Sequence, residues 1–208
     1  MPTPDEKETA AATGRRARKQ QQQEARLADT AWQLFEAEGF EAVTMARIAE
    51  AADVSKVTLY RHFPVKEALL SHVFHRELRE TWPAIQPELA RMAPGKARLG
   101  RFLQLQAAWC ESRRAFLLPY VRFRLADSRF PGAGRTRSGM DQIFSGLIAE
   151  GQATGEFRRD YPVELLTLHF QYAHLATLLR WLACADISLA EAFSEMLELF
   201  CHGMEARQ

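Results

Sequence analysis

The sequence predicts an all-α protein of about nine helices, with a small N-terminal helix-turn-helix domain ahead of a larger helical domain. Three observations lead there. Apolar residues recur at spacings of three and four along most of the 208 residues, and no strand-like alternation reaches a convincing length. Two very short helical stretches near the N-terminus each follow a hydroxyl side chain that can cap them. The last two helical stretches are apolar on two sides, so each must be covered twice.

Composition narrows the function. Hydrophobic residues make up 47% and charged residues 25%, which supports a packed core and excludes a wholly disordered chain. Lys and Arg number 27 against 26 Asp and Glu, so any nucleic-acid contact must come from a local basic patch. Three cysteines, Cys110, Cys184 and Cys201, are odd in number and widely spaced, which argues against a disulfide framework or a zinc ribbon. Residues 1–26 lack the apolar run of a signal peptide. The uncharged stretch between Glu164 and Arg180 is shorter than a bilayer span. The expected location is cytoplasmic.

The elements follow in order. Residues 1–14 have the composition of a disordered tail, and residues 15–75 form the expected small domain. Arg15, Arg16, Arg18 and Lys19 open a long helix whose inward stripe is Leu27, Ala31, Leu34 and Phe35, and Gly39 ends it. Thr44 is the expected N-cap of a helix from Met45 to Ala52. A break at Asp53-Val54 leads to Ser55, the cap of a second short helix from Lys56 to Phe63. Leu59 and Phe63 share one side of that helix and can pack on Ile48 and Ala49, which leaves Val57, Thr58, Tyr60 and Arg61 facing out. A short, basic, aromatic exposed face suits phosphate and base contacts. A fourth helix carries Leu69, Leu70, Val73, Phe74 and Leu78 inward, and the pattern changes at Pro83.

Residues 76–208 are the expected larger domain. Its helices run from Gly95 to Cys110, from about Arg114 to Ser128 with Pro119 as a kink or true start, and from Met140 to Gly151 or Gly155. Phe130-Pro131-Gly132-Ala133-Gly134 is a breaker cluster. In the last two helices Leu165, Leu168, Tyr172, Leu175, Leu179 and Leu182, then Leu189, Phe193, Met196 and Phe200, form heptad-like seams. Either both faces of these helices are buried in their own core, or one face meets a second copy in a four-helix interface. The interface residues would then be Leu168, Tyr172, Leu175, Leu179, Leu182, Phe193, Met196 and Phe200.

No catalytic constellation emerges, and the chain reads as a non-enzyme. Gly134 to Gly139 lacks the Lys-Ser/Thr of a phosphate loop, and Gly132-Ala133-Gly134 lacks the third glycine of a dinucleotide fingerprint. His72 and His75 share a helix face without the further donors a metal needs, so neither metal nor cofactor is expected.

The run from Phe40 to Leu70 resembles the DNA-binding domain of the TetR/AcrR family of bacterial transcriptional regulators. Thr44, Ile48-Ala49, Val54-Ser55, Leu59-Tyr60, His62-Phe63 and Lys66-Glu67-Ala68-Leu69 carry the likeness, which is close over residues 20–70 and only architectural beyond residue 75. The resemblance implies DNA-binding residues at Thr44, Arg47, Ser55, Lys56, Val57, Thr58, Tyr60, Arg61, His62 and Lys66. Thr44, Tyr60, His62 and Lys66 would hold phosphates, Lys56, Val57 and Thr58 would enter the major groove, and Arg61 could reach either. Arg15 to Lys19 would reach the flanking backbone or minor groove. Two positions depart from the family pattern: Asp53 replaces the usual turn glycine, and Val57 replaces a commonly small residue.

The resemblance further implies a homodimer on a palindromic operator and a repressor released by an unknown small-molecule effector. Candidate pocket residues are Phe102, Trp109, Phe116, Tyr120, Phe144, His169 and Tyr172, with Arg122 and Arg124 as charges. Two other readings stay open at this point. One is a regulator without a small-molecule effector. The other is a ligand-binding protein whose helix-turn-helix is only structural.

Overall fold

The computed structural model describes residues 4–126, 139–184 and 186–202. The Phe130–Gly134 breaker cluster and Ser128 lie outside the described residues. Among the described residues the regular structure is nine helices: α1 (Pro4–Glu38), α2 (Met45–Ala51), α3 (Lys56–His62), α4 (Lys66–Ala90), α5 (Lys96–Ser112), α6 (Arg114–Ala126), α7 (Met140–Thr154), α8 (Val163–Ala183) and α9 (Leu189–His202). They divide into two compact units, residues 1–74 and 75–208.

Two boundaries differ from expectation. The first helix starts at Pro4, inside the segment whose composition suggested a tail. Proline suits a first turn, and the Ala10-Ala11-Ala12 run has the highest helix propensity available. The fourth helix runs on through Pro83 and Pro87 to Ala90. Both prolines are exposed, so water can take the backbone hydrogen bonds they forgo. Pro119 likewise sits inside α6, whose start is Arg114.

In the first unit Leu27, Ala31 and Phe35 of α1 pack with Ile48, Ala49, Leu59, Leu69, Leu70 and Val73, all buried. The Phe35 and Phe40 rings lie 4.9 Å apart, which fixes the chain leaving α1. Both short helices are capped as their sequences predict. The Arg47 amide donates to Thr44 Oγ1 at 3.2 Å, and the Thr58 amide donates to Ser55 Oγ at 3.1 Å. Asp53 takes the turn between them at φ 53°, the left-handed conformation that aspartate tolerates better than most side chains.

The second unit packs α5 against α9, α7 against α8, and α8 against α9. α5 and α7 come close where a Cβ on Gly151 would stand 3.0 Å from the Gly95 Cα and inside the Phe157 ring. Inside the unit, aromatic rings meet edge to face: Trp82 on Phe102 at 5.8 Å, Phe102 on Phe144 at 5.8 Å, and Phe144 on Phe170 at 4.9 Å. His174 stacks on Phe193 at 4.7 Å.

Burial drives the His174 imidazole down from 6.5 to about 4. Between these values the unfolded chain holds a proton that the folded chain refuses, so stability must fall as pH drops from 6.5 toward 4 and level off above 6.5. The expected slope from this group is about 1.4 kcal/mol per pH unit. Urea denaturation across this range should show it, and a His174→Phe variant should lose that component of the slope.

Candidate nucleic-acid interface

The outward face of α3 is built from very few constraints. Leu59 is fully buried and anchors the helix, while Ser55 and Thr58 hold its first turn through a 2.9 Å contact between their hydroxyls. Lys56, Val57, Tyr60 and Arg61 are left exposed, Val57 at 79% and Tyr60 at 50%. A valine that exposed contributes little to folding, and with Tyr60 it forms an apolar spot flanked by two cations. Thr44 and Arg47 are exposed at the start of α2, with the Arg47 guanidinium 3.3 Å from Glu38 and 3.6 Å from Glu50. Arg16, Arg18 and Lys19 of α1 are exposed as well.

Two expected phosphate ligands are engaged elsewhere. The Lys66 ammonium donates to the carbonyls of Phe40 at 2.7 Å, Val43 at 3.3 Å and Glu41 at 3.4 Å, and it lies 4.3 Å from the Phe40 ring centre. Its three donors are used by the turn between α1 and α2, so it organises that turn from within and does not point at a backbone phosphate. The His62 side chain is only 8% exposed and places Nδ1 3.3 Å from Glu24 Oε1 of α1. It braces α3 against α1. Replacing Lys66 by methionine is therefore expected to destabilise the first unit by about 1–3 kcal/mol, because three carbonyls lose a charged donor. Denaturant unfolding of the variant measures this; an unchanged midpoint with weakened DNA binding would restore the phosphate role.

Sequence reasoning missed other parts of this surface. Arg26 donates to the Ala52 carbonyl at 3.3 Å, and Gln22, Gln23 and Arg26 line a hollow of about 270 Å³ beside Ala52 and Val54. The Glu24–His62 and Arg26–Ala52 contacts span 38 and 26 residues, beyond the reach of any local pattern.

In the second unit the candidate pocket residues do not gather around one cavity. Phe102 and Phe144 are buried against each other as filled core. Trp109 donates to Glu77 at 2.9 Å, with the Arg113 guanidinium 5.0 Å from its ring centre. Tyr120 shares a 3.1 Å hydrogen bond with His75, and burial pushes its hydroxyl up to about 12. Phe116 is half-buried, Arg122 exposed and Arg124 half-buried. His169 and Tyr172 are exposed on α8, since a helix that turns Thr167, Phe170 and His174 inward must turn these two outward.

The expected interface also needs correction. Phe193 and Met196 are buried in the core of their own chain, and Phe200 packs on Phe170 at 5.0 Å. The seam left available is on α8. There Leu168, Leu175, Leu179 and Leu182 are half-buried and Tyr172 is 57% exposed. Beside it lies an open groove of about 390 Å³ whose lining includes Ala173, Thr177 and Arg180 of α8 and Glu195 and Leu199 of α9.

The family model described as "Bacterial regulatory proteins, tetR family" matches residues 27–73, the span that holds α2, α3 and their turn. The chain belongs to the TetR family. The transcriptional repressor KstR2 of Rhodococcus jostii is 25% identical over 168 residues, covering 79% of this chain and 78% of that one. The regulator RutR of Escherichia coli K12 is 29% identical over 147 residues, which is 70% of this chain and 60% of RutR. The crystal structure of Thermus thermophilus FadR, a TetR-family repressor in complex with lauroyl-CoA, superposes with a TM-score of 0.74 at 25% identity, covering 89% of this chain and 96% of FadR. This TetR-family chain is a DNA-binding transcriptional regulator. Among its described residues no helix is long and apolar enough to cross a membrane.

Proposed function

We propose that this regulator is a cytoplasmic repressor that binds a palindromic operator as a homodimer and releases it when a small molecule occupies the second unit. The observation that carries the DNA-binding part is the surface of α3. Lys56, Val57, Tyr60 and Arg61 all face solvent while Leu59, at the centre of the helix, is fully buried. That geometry fits a helix held from behind and offered to a groove. The α8 seam of Leu168, Tyr172, Leu175, Leu179 and Leu182 is the proposed dimer face, and two-fold pairing through it would present two α3 helices to two half-sites. No reaction is required of the protein, because release needs only that the effector bind the DNA-incompetent state more tightly.

For the effector we propose a fatty acyl thioester of coenzyme A. Its support is the likeness to Thermus thermophilus FadR, which binds lauroyl-CoA, together with the apolar aromatic interior of the second unit. The test is a footprint on the intergenic DNA beside the protein's own gene, run with and without lauroyl-CoA. Protection of an inverted repeat, lost as lauroyl-CoA is added, is the expected result. Protection that no acyl-CoA affects would leave the DNA-binding reading standing and remove the effector class.

A further inference from the structure

Buried polar side-chain atoms without a partner are rare enough that each one calls for a cause. The second unit has two on a single helix face. Thr167 Oγ1 and His174 Nε2 are buried and make no hydrogen bond. The residues are 6% and 8% exposed, and their spacing of seven puts them on the same side of α8, with Phe170 between them. Around His174 stand Phe193 at 4.7 Å and Phe144 at 5.4 Å. A third orphaned atom, Gln106 Oε1, belongs to α5 one turn after Phe102, and Phe102 packs on that same Phe144 at 5.8 Å.

Leaving such groups dry costs about 1–3 kcal/mol each, and apolar residues of similar shape would avoid the cost. Stability alone therefore does not account for a threonine, a histidine and a glutamine here. A bound molecule that supplies the missing hydrogen bonds does.

We propose that Thr167, His174 and Gln106 are the polar anchor of the effector site, and that the effector carries a hydroxyl group on the apolar portion that enters between α5, α7 and α8. The inference rests on the acyl-CoA reading and narrows it to hydroxyacyl thioesters over plain ones. The chemistry selects the group. Gln106 Oε1 only accepts, so the ligand must donate to it, whereas a neutral imidazole and a threonine hydroxyl can each donate or accept. A hydroxyl meets both needs, while a ketone cannot donate. Burial keeps His174 uncharged, so neither it nor Thr167 would offset the charge of a carboxylate, whose desolvation costs far more than that of an alcohol.

The test is calorimetric titration of the full-length protein with lauroyl-CoA and with ω-hydroxylauroyl-CoA, using wild type, Thr167→Val and His174→Phe. The expected result is that wild type binds the hydroxylated thioester about ten-fold or more tighter, since a site built for a hydroxyl rejects the analogue lacking it. In both variants that preference should shrink towards unity, with lauroyl-CoA bound at least as well as before. Thr167→Val keeps the side-chain shape, so it carries the test even if His174→Phe folds poorly. The His174 imidazole nitrogen resonances should move with the hydroxylated ligand and stay in place with lauroyl-CoA. Equal affinity in wild type, or a preference that survives both substitutions, overturns the anchor and leaves the acyl-CoA reading intact. Failure of both thioesters to bind wild type overturns the anchor and the acyl-CoA reading together.

Discussion

Val57→Glu is expected to weaken specific DNA binding by about 100-fold or more while leaving the unfolding curve of the protein in place. Both halves follow from the 79% exposure of Val57. A side chain that far from the core has nothing to lose on substitution, and exposed positions of this kind change stability by no more than about 0.5 kcal/mol. Facing DNA the same position is enclosed by phosphates. A carboxylate there is repelled by them, loses its water and finds no donor, since Lys56 and Arg61 are needed by the DNA. Electrophoretic mobility shift with the wild-type operator and thermal melting, run side by side, give the two readouts. Retained binding would mean that α3 does not enter the groove with this face. A lowered melting point would mean that Val57 belongs to a packed surface.

Phe144→Ala carries the largest stability cost that we expect in the second unit, about 3–5 kcal/mol. The ring is 1% exposed and is the common partner of Phe102, Phe170 and His174, at 5.8, 4.9 and 5.4 Å. Removing it withdraws three ring contacts at once and leaves a cavity among rigid neighbours that cannot close around it. That loss is a large share of the about 5–15 kcal/mol that holds an ordinary domain together. Urea unfolding followed by circular dichroism measures it. A cost below about 1 kcal/mol would mean that this interior is already loosely packed.

The N-terminal unit was nearly all legible in the sequence because its signals are local. A hydroxyl three residues ahead of the amide it caps, an aspartate in a left-handed turn and an i, i+4 pair of apolar residues can each be read from a few neighbouring letters. Lys66 and His62 escaped that reading. Both look like exposed cations near a DNA surface, and what engages them is the carbonyls of residues 40–43 and a carboxylate 38 residues away. In the second unit the helices were legible, but the rotational phase of α8 was not. With apolar residues on nearly every side of that helix, periodicity alone could not tell that Phe170 and His174 face the core while His169 and Tyr172 face out. The same ambiguity placed Phe193 and Met196 on a shared seam when their own core claims them. The continuation of α4 past Pro83 was hidden for a different reason: a proline forbids one hydrogen bond, and solvent on that face makes the loss tolerable.

The division of labour within α3 bears on how such a regulator can change over generations. Of its seven residues only Leu59 is fully buried, and the cap at its first turn involves Ser55 and Thr58. Four others, at 56, 57, 60 and 61, face solvent. Single replacements at those four can retune which operator is preferred without eroding the fold. A duplicated copy of this gene could therefore drift to a new regulon one substitution at a time, every intermediate still folding. Laboratory retargeting should randomise the same four positions and leave the remainder of the helix untouched.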